Sequence, residues 1–265
     1  MSESIRTPDR EVLLEQRGGH VAIVTLNRPA ARNAINGALA RALEAAVRAT
    51  EAKEAIWAVV LTGAGGKAFS AGADLKEVAR GNLESLSTAD GGFAGFVHAK
   101  RTKPWIAAVE GLALAGGCEL ALACDLIVAA EGAAFGLPEV SRGLAAAAGG
   151  LYRLPRALPR RIALDLILTG ERLSAERAAE LGMVSRLAPP GRALEVALER
   201  AAAIALNAPI AVRESLAIAR ASFDLDDTAL RRLSDAAQRR LQTTADFHEG
   251  AVAFVEKRPP RWTGR

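Results

Sequence analysis

The chain has 265 residues, half of them apolar and about a quarter charged, which is ordinary for a globular protein with a sizeable buried core. Its formal charge of +4 is spread along the chain, with no basic run interleaved with aromatics; this excludes a dedicated nucleic-acid binder and suits a small anionic ligand. Two cysteines, Cys118 and Cys124, without a CxxC pair, exclude a disulfide framework and read as small buried hydrophobes of a reducing, cytoplasmic setting.

Residues 1–10 are polar and lack the apolar core of a signal peptide. Val21–Leu26 predicts a strand, closed by Asn27-Arg28-Pro29. A helix is expected over 38–52, with Leu39, Leu43 and Val47 on one face. The apolar run 56–61 predicts a fully buried strand ending at the glycines of 63–66. Ala71-Gly72-Ala73 then turns into a short helix from Asp74. The polar, glycine-bearing segment 80–95 predicts a mobile loop or frayed helix over a site.

Trp105–Val109 predicts the next buried strand. It turns through Gly111 and Ala115-Gly116-Gly117 into a helix over 118–123, and Leu126–Ala130 is again a strand. The apolar stretch 106–130 is broken by Glu110, Glu119 and Asp125, so no membrane span is expected there. The strand-strand-helix pattern favours an α/β architecture of stacked sheet layers. Beyond residue 187 the periodicity is helical, over 193–206, 209–222, 227–243 and 250–257. Leu194, Leu198, Ala201 and Ala205 make one stripe, and Leu230, Leu233, Ala237 and Leu241 another. The expected division is a core over 1–192 and a helical region over 193–265.

Two segments carry candidate chemistry. In 111–125 a strand gives way to small residues and then to a helix start at Gly116 and Gly117. The first N–H groups of a helix lack internal partners and lie at its positive end, which is how an oxyanion or phosphate site is built. Taken alone, the same sequence more often describes a tight packing turn, since Gly-rich turns are common. Phe69-Ser-Ala-Gly-Ala-Asp-Leu75 is a second turn of this kind, and two such turns can aim two N–H groups at one oxygen. Glu119 sits among apolar residues in the first helical turn; the helix dipole favours it there, and an ionised carboxylate in such a place calls for a partner or a task. Glu139 follows Pro138 in irregular structure. His20, His98 and His248 are isolated, so no metal site is expected.

Taken together these motifs resemble the enoyl-CoA hydratase/isomerase (crotonase) family. The resemblance rests on Asn27-Arg-Pro with Asn33-Ala34, Ala68 to Leu75, Lys103-Pro104, Ile106 to Val109, Ala115-Gly-Gly-Cys-Glu-Leu120, Cys124-Asp125, Phe135-Gly-Leu-Pro-Glu139, Leu168-Thr-Gly170 and the stretch 178–185. It implies an α/β fold, a crotonase-like spiral of ββα turns with a C-terminal helical trimerisation region, assembled as a homotrimer or dimer of trimers. It implies that the backbone N–H groups of Ala73 and Gly116 form an oxyanion hole for an acyl-CoA thioester. It assigns Glu119 to deprotonating water and Glu139 to proton exchange at the α-carbon. It places Ala30, Ala31, Ala71, Asp74, Leu75, Gly117 and Pro138 along the substrate and coenzyme A path, with Phe254 and Lys257 reaching a neighbouring subunit's nucleotide. No separate cofactor is implied, because coenzyme A arrives as part of the substrate; neither a nucleic-acid nor a membrane partner is expected.

The chain departs from the family pattern in places. Ala146-Ala147 stands where a Pro-Gly pair is frequent, Glu110 replaces a frequent Asn, and Trp105 a frequent aliphatic. Ala147 occupies the position of the Asp nucleophile in related dehalogenases, which argues against that reaction. Leu154-Pro-Arg and the C-terminal nine residues are similar to crotonobetainyl-CoA hydratases. The leading expectation is an enoyl-CoA hydratase. The alternatives are a double-bond isomerase working through Glu139 alone, a crotonobetainyl-CoA hydratase-like enzyme, and a non-catalytic acyl-CoA binder.

Overall fold

A computed structural model describes residues 11–265; the expectation for residues 1–10 lies outside them. β1 (Val12–Arg17) and β2 (Val21–Leu26) form an antiparallel hairpin. α1 (Gly37–Ala52) crosses to β3 (Ala58–Gly63), which lies parallel to β2. β4 (Ala68–Ser70) leads into α2 (Leu75–Ala79), and a short hairpin follows, β5 (Ser87–Thr88) with β6 (Gly92–Phe93). Next come β7 (Trp105–Val109), β8 (Leu112–Leu114) and α3 (Gly116–Ala123), then β9 (Leu126–Ala130) and β10 (Ala134–Gly136). α4 (Gly150–Ala157), α5 (Arg160–Thr169), β11 (Arg172–Ser174), α6 (Ala175–Glu180) and β12 (Arg186–Ala188) complete the sheeted part. The rest is helical: α7 (Ala193–Ala205), α8 (Pro209–Ala221), α9 (Asp227–Gln242) and α10 (Ala245–Glu256).

The six-stranded sheet has the order β1-β2-β3-β7-β9-β12, and the four-stranded sheet β11-β10-β8-β4. Each ββ pair in turn, β3 with β4, β7 with β8 and β9 with β10, adds one strand to each sheet. That regular advance is the spiral of ββα turns.

The central strands are buried on both faces, so alternate residues enter different cores. Val59, Leu61, Ala107 and Val109 point into the main core with Leu39, Leu43, Phe69 and Leu120. Val60, Ile106, Ala108 and Val128 point the other way, onto Ala193, Ala197 and Ala201 of α7. These three alanines recur every fourth residue, and their lack of bulk lets α7 lie close against the sheet. The expected leucine stripe is thus displaced: Leu194 and Leu198 only flank this contact.

Several buried polar groups tie the elements together. Lys103, 1% exposed, donates from Nζ to the carbonyls of Thr50 and Lys53 at the C-terminal end of α1, where the helix dipole favours a cation. Asp125 accepts the Trp105 N–H and a forked pair of bonds from Arg220, at 2.7 and 2.8 Å, which fastens α8 to β7. Glu110 accepts the N–H groups of Gly191 and Ala193, at 2.8 and 3.3 Å, and so caps the start of α7.

Three boundaries differ from expectation. The strand expected over 56–61 is Ala58–Gly63, because a continuous apolar run carries no boundary signal; Ile56 closes a turn onto Lys53, and Trp57 stacks on His20. The last helix begins at Ala245 rather than 250, with the Thr244 hydroxyl accepting the Phe247 N–H. The segment 80–95 is neither a loose loop nor a helix. It holds a 3-10 turn (Leu83–Leu86) and the β5–β6 hairpin, pinned by buried Leu86 and by the Thr88 hydroxyl bonding Glu44.

Replacing Ala197, fully buried between α7 and the sheet, by Leu is expected to lower stability by about 1–3 kcal/mol through overpacking. Thermal unfolding of the variant checks this, and an unchanged Tm would mean the helix can lift from the sheet freely.

Candidate active site

The first turn of the site is shaped from beneath by Asn33. This buried residue sits in the left-handed region at φ 55°. Its Nδ2 donates to the Ala64 and Ala68 carbonyls at 3.0 and 2.9 Å, and its Oδ1 accepts the Arg28 N–H at 2.9 Å. The Ser70 hydroxyl donates to the Asn33 carbonyl and accepts the Gly72 N–H. A parallel bridge then uses the Gly72 carbonyl and the Asp74 N–H, both bonded to Ile35 at 2.8 and 2.9 Å. Ala73 is skipped by this bridge, and its N–H has no acceptor among the described residues. Asp74 caps α2 and pairs with Arg28 at 3.0 Å. Burial would raise the Asp74 carboxyl, but the Arg28 and Lys76 hydrogen bonds outweigh it and hold the group below its usual value.

The second turn meets the first backbone to backbone. A Cβ on Gly72 would lie 2.8 Å from the Gly116 nitrogen, and one on Gly117 would lie 2.1 Å from the Ser70 carbonyl oxygen. Gly72 also has φ +85°, so glycine is required there twice over. Ala115, just before α3, is held at φ 51° and ψ −129°, a rare conformation for a residue with a side chain. α3 opens after it at Gly116, whose N–H has no acceptor among the described residues. The Phe93 ring of the hairpin covers this point: a Cβ on Gly116 would lie 2.4 Å from its Cε1.

Glu119 is 3% exposed, in the first turn of α3. One oxygen, Oε1, accepts the N–H of Gly150 at the start of α4, at 2.9 Å. Burial pushes its pKa up to about 7; the Gly150 bond opposes the rise, and the nearby Glu139 charge adds to it. Glu139 lies in a 3-10 turn (Pro138–Arg142) and is 9% exposed. Its Oε2 is buried with no hydrogen-bond partner among the described residues, and burial raises its pKa as well. Two buried carboxyls, one anchored by Gly150 and one with a single unpartnered oxygen, thus lie within electrostatic reach of each other. Burial also raises the Cys118 and Cys124 thiols, the latter to about 12, so both are inert neutral side chains.

The other residues singled out in the sequence fall into two sets. Ala30 and Ala31 form a 3-10 turn with Pro29, next to Arg28 and Asp74. Ala71, Asp74 and Leu75 surround the first turn, Gly117 the second, and Pro138 adjoins Glu139. Phe254 and Lys257 stand apart, at the end of α10, and the Phe254 ring is 85% exposed. Three contributors went unnoticed in the sequence: the Gly150 N–H, Phe93, and Arg153, whose guanidinium bonds the Ala148 and Val97 carbonyls at 3.0 and 2.6 Å. The Gly149-Gly150 pair was a visible signal for the first; nothing local marks the other two. Among the described residues no group of His, Cys, Asp and Glu is placed to hold a metal ion.

The family model for enoyl-CoA hydratase/isomerase matches residues 16–265. A Rhizobium meliloti protein named "Probable enoyl-CoA hydratase" is 43% identical over 261 residues, covering 96% of this chain and 99% of its own length. The 2,3-dehydroadipyl-CoA hydratase of Escherichia coli is 40% identical over 258 residues, again covering 96% of this chain and 99% of its own. The crystal structure of an enoyl-CoA hydratase from Mycobacterium tuberculosis superposes with a TM-score of 0.92 at 48% identity, covering 97% of this chain and all of that one.

The two carboxyls are expected to titrate as a coupled pair. Removing the Glu139 charge in Glu139→Gln should lower the midpoint of Glu119 from its value near 7, as followed by carbon NMR of labelled glutamate. A midpoint that does not move would show that the two do not sense each other.

Proposed function

The chain belongs to the enoyl-CoA hydratase/isomerase family, and from that premise we propose that it adds water across the 2,3 double bond of an enoyl-CoA thioester. The observation that carries this reading is the pair of buried glutamates, Glu119 and Glu139, beside two backbone N–H groups that lack acceptors.

The thioester oxygen sits between the N–H groups of Ala73 and Gly116. Negative charge gathers on that oxygen as the bond to the β-carbon forms. One such donor, fixed in advance, stabilises that charge by about 2.7–4 kcal/mol. Glu119 in its ionised form takes a proton from water, and the resulting hydroxide oxygen bonds to the β-carbon. The Gly150 N–H holds its Oε1 and so fixes the orientation of the carboxylate. Glu139 in its neutral form delivers a proton to the α-carbon. One carboxyl gains a proton and the other loses one, and exchange with solvent resets both. Burial raises both groups above the ordinary carboxylate value, Glu119 to about 7, which eases proton exchange by a carboxyl near neutral pH.

The assembly belongs to the same reading. Phe254, Val255 and Leu206, 85%, 79% and 75% exposed, give the helical region an apolar surface of the kind that protein contacts cover. A homotrimer or dimer of trimers would bury it and carry Phe254 and Lys257 toward a neighbour's coenzyme A. Light scattering on the purified protein is expected to give a multiple of three times 27.7 kDa; a monomer would remove this part of the reading.

Loss of the conjugated enoyl absorbance of crotonyl-CoA measures the reaction. Wild type is expected to hydrate it, and Glu119→Gln or Glu139→Gln to lower kcat by about 10²–10⁴-fold. Retained proton exchange at the α-carbon without hydration in wild type would favour an isomerase instead. The base works only when ionised, so kcat is expected to fall as pH drops through about 7. A pH-rate profile flat from acid to alkaline would overturn these roles.

A further inference from the structure

The Gly150 N–H that anchors Glu119 lies at the end of a stretch with little to hold it. Residues 143–149 are irregular and mostly exposed. α4 opens without a side-chain cap, at Gly149 with φ 118°, so no capping side chain fixes its first turn. Among the described residues, only two side chains bond the backbone of 143–150: Glu119 and Arg153.

Arg153 lies in the first turns of α4, half-buried, and its two terminal nitrogens take separate carbonyls. Nη1 donates to Ala148 at 3.0 Å, just before Gly149 and Gly150. Nη2 donates to Val97 at 2.6 Å. The guanidinium packs onto Gly149 where a side chain would stand: a Cβ there would lie 1.9 Å from Nη1. The Val97 N–H bonds the Phe93 carbonyl at 3.3 Å, and the Phe93 ring covers Gly116. One cation therefore joins the backbone that orients Glu119 to the segment that covers the oxyanion turn. A planar fork suits this task, because it holds two acceptors at fixed relative positions.

Its charge works in the same direction. Burial lifts Glu119 to about 7; the backbone bonds from Gly150 and Ala148 and the Arg153 charge oppose the rise, and the Glu139 charge adds to it. The titratable groups facing Glu119 are Glu139 from the 3-10 turn, Arg153 from α4 and Cys118 on its own helix. Those facing Arg153 are Glu119, Arg101, Tyr152, Arg156 and Cys124. Resting on the hydratase reading above, we propose that Arg153 is a positioning residue for hydration: its guanidinium braces the Ala148 carbonyl so that the Gly150 N–H meets Glu119, and ties that brace to the Val97 segment behind Phe93.

The test measures kcat, KM and the pH dependence of kcat for crotonyl-CoA hydration in wild type, Arg153→Met and Arg153→Lys, with folding followed by thermal unfolding. In Arg153→Met kcat is expected to fall about 10–100-fold, the cost of a misplaced reacting group. KM is expected to stay within about threefold, because the lost bonds orient the base and do not touch the substrate. The acid limb is expected to move to higher pH, because the cation that lowers Glu119 is gone. Arg153→Lys keeps the charge, so its limb returns toward the wild-type position, while kcat stays below wild type for want of the planar fork. A folded Arg153→Met with wild-type kcat and an unmoved limb overturns the proposal, and so does a raised KM with kcat intact. If Arg153→Met does not fold, Arg153→Lys decides: a lowered kcat at unchanged KM supports the brace, and a wild-type kcat overturns it. Absence of hydration by wild type would bring down the hydratase reading itself, and this inference with it.

Discussion

The contact on which the molecule's arrangement turns is between two stretches of bare backbone. Gly72 touches the Gly116 nitrogen, and Gly117 touches the Ser70 carbonyl. No side chain fits at any of these meetings, so the two turns approach as closely as main chain allows. Each turn ends a strand of the four-stranded sheet and begins a helix. The spiral sets β4 beside β8 in parallel, which brings the two strand ends to the same edge. The N–H groups of Ala73 and Gly116 are therefore neighbours because of the way the sheets stack. Asn33, Ser70, Arg28 and Asp74 hold the first turn in place from below. The strained backbone of Ala115 aims the second.

Around this contact the polar groups divide by burial. Glu119 and Glu139 are removed from water without cationic partners at ion-pair distance, and burial raises both. Asp125 and Lys103 are also shielded, yet each is answered, by Arg220 and by helix-end carbonyls respectively. The contrast separates groups that hold the fold from groups left poised to exchange protons. Lys103 and Asp125 thus serve the architecture.

Much of this was legible in the sequence, for definite reasons. The strands Val21–Leu26, Trp105–Val109 and Leu126–Ala130 were bounded by turn residues, so their limits agree with the structure. Glycine-rich strand ends pointed to both turns, and the helices expected from 209 and 227 begin at those residues. What could not be read were relations between distant segments. That Gly150 lends its N–H to Glu119, 31 residues away, depends on how α4 lies against α3. That the Phe93 ring rests on Gly116 depends on a hairpin whose two strands hold two residues each. The α7 contact misled because leucines announce themselves as a stripe while alanines do not, and here close approach mattered more than bulk.

The bond from Gly150 to Glu119 has a consequence for how such a protein can change over time. The group that steadies the base is a main-chain N–H, and no substitution alters its chemistry short of proline. Only its position can vary, and that is set by the length and path of residues 143–149, a stretch of small residues after an exposed turn. Substitutions at residues 145–148 leave the donor's chemistry unchanged, whereas a side chain at Gly149, at φ +118°, would strain the backbone just before it. The anchor of Glu119 is thus open to insertions and deletions in this segment, so its loss among relatives should track the length of the segment.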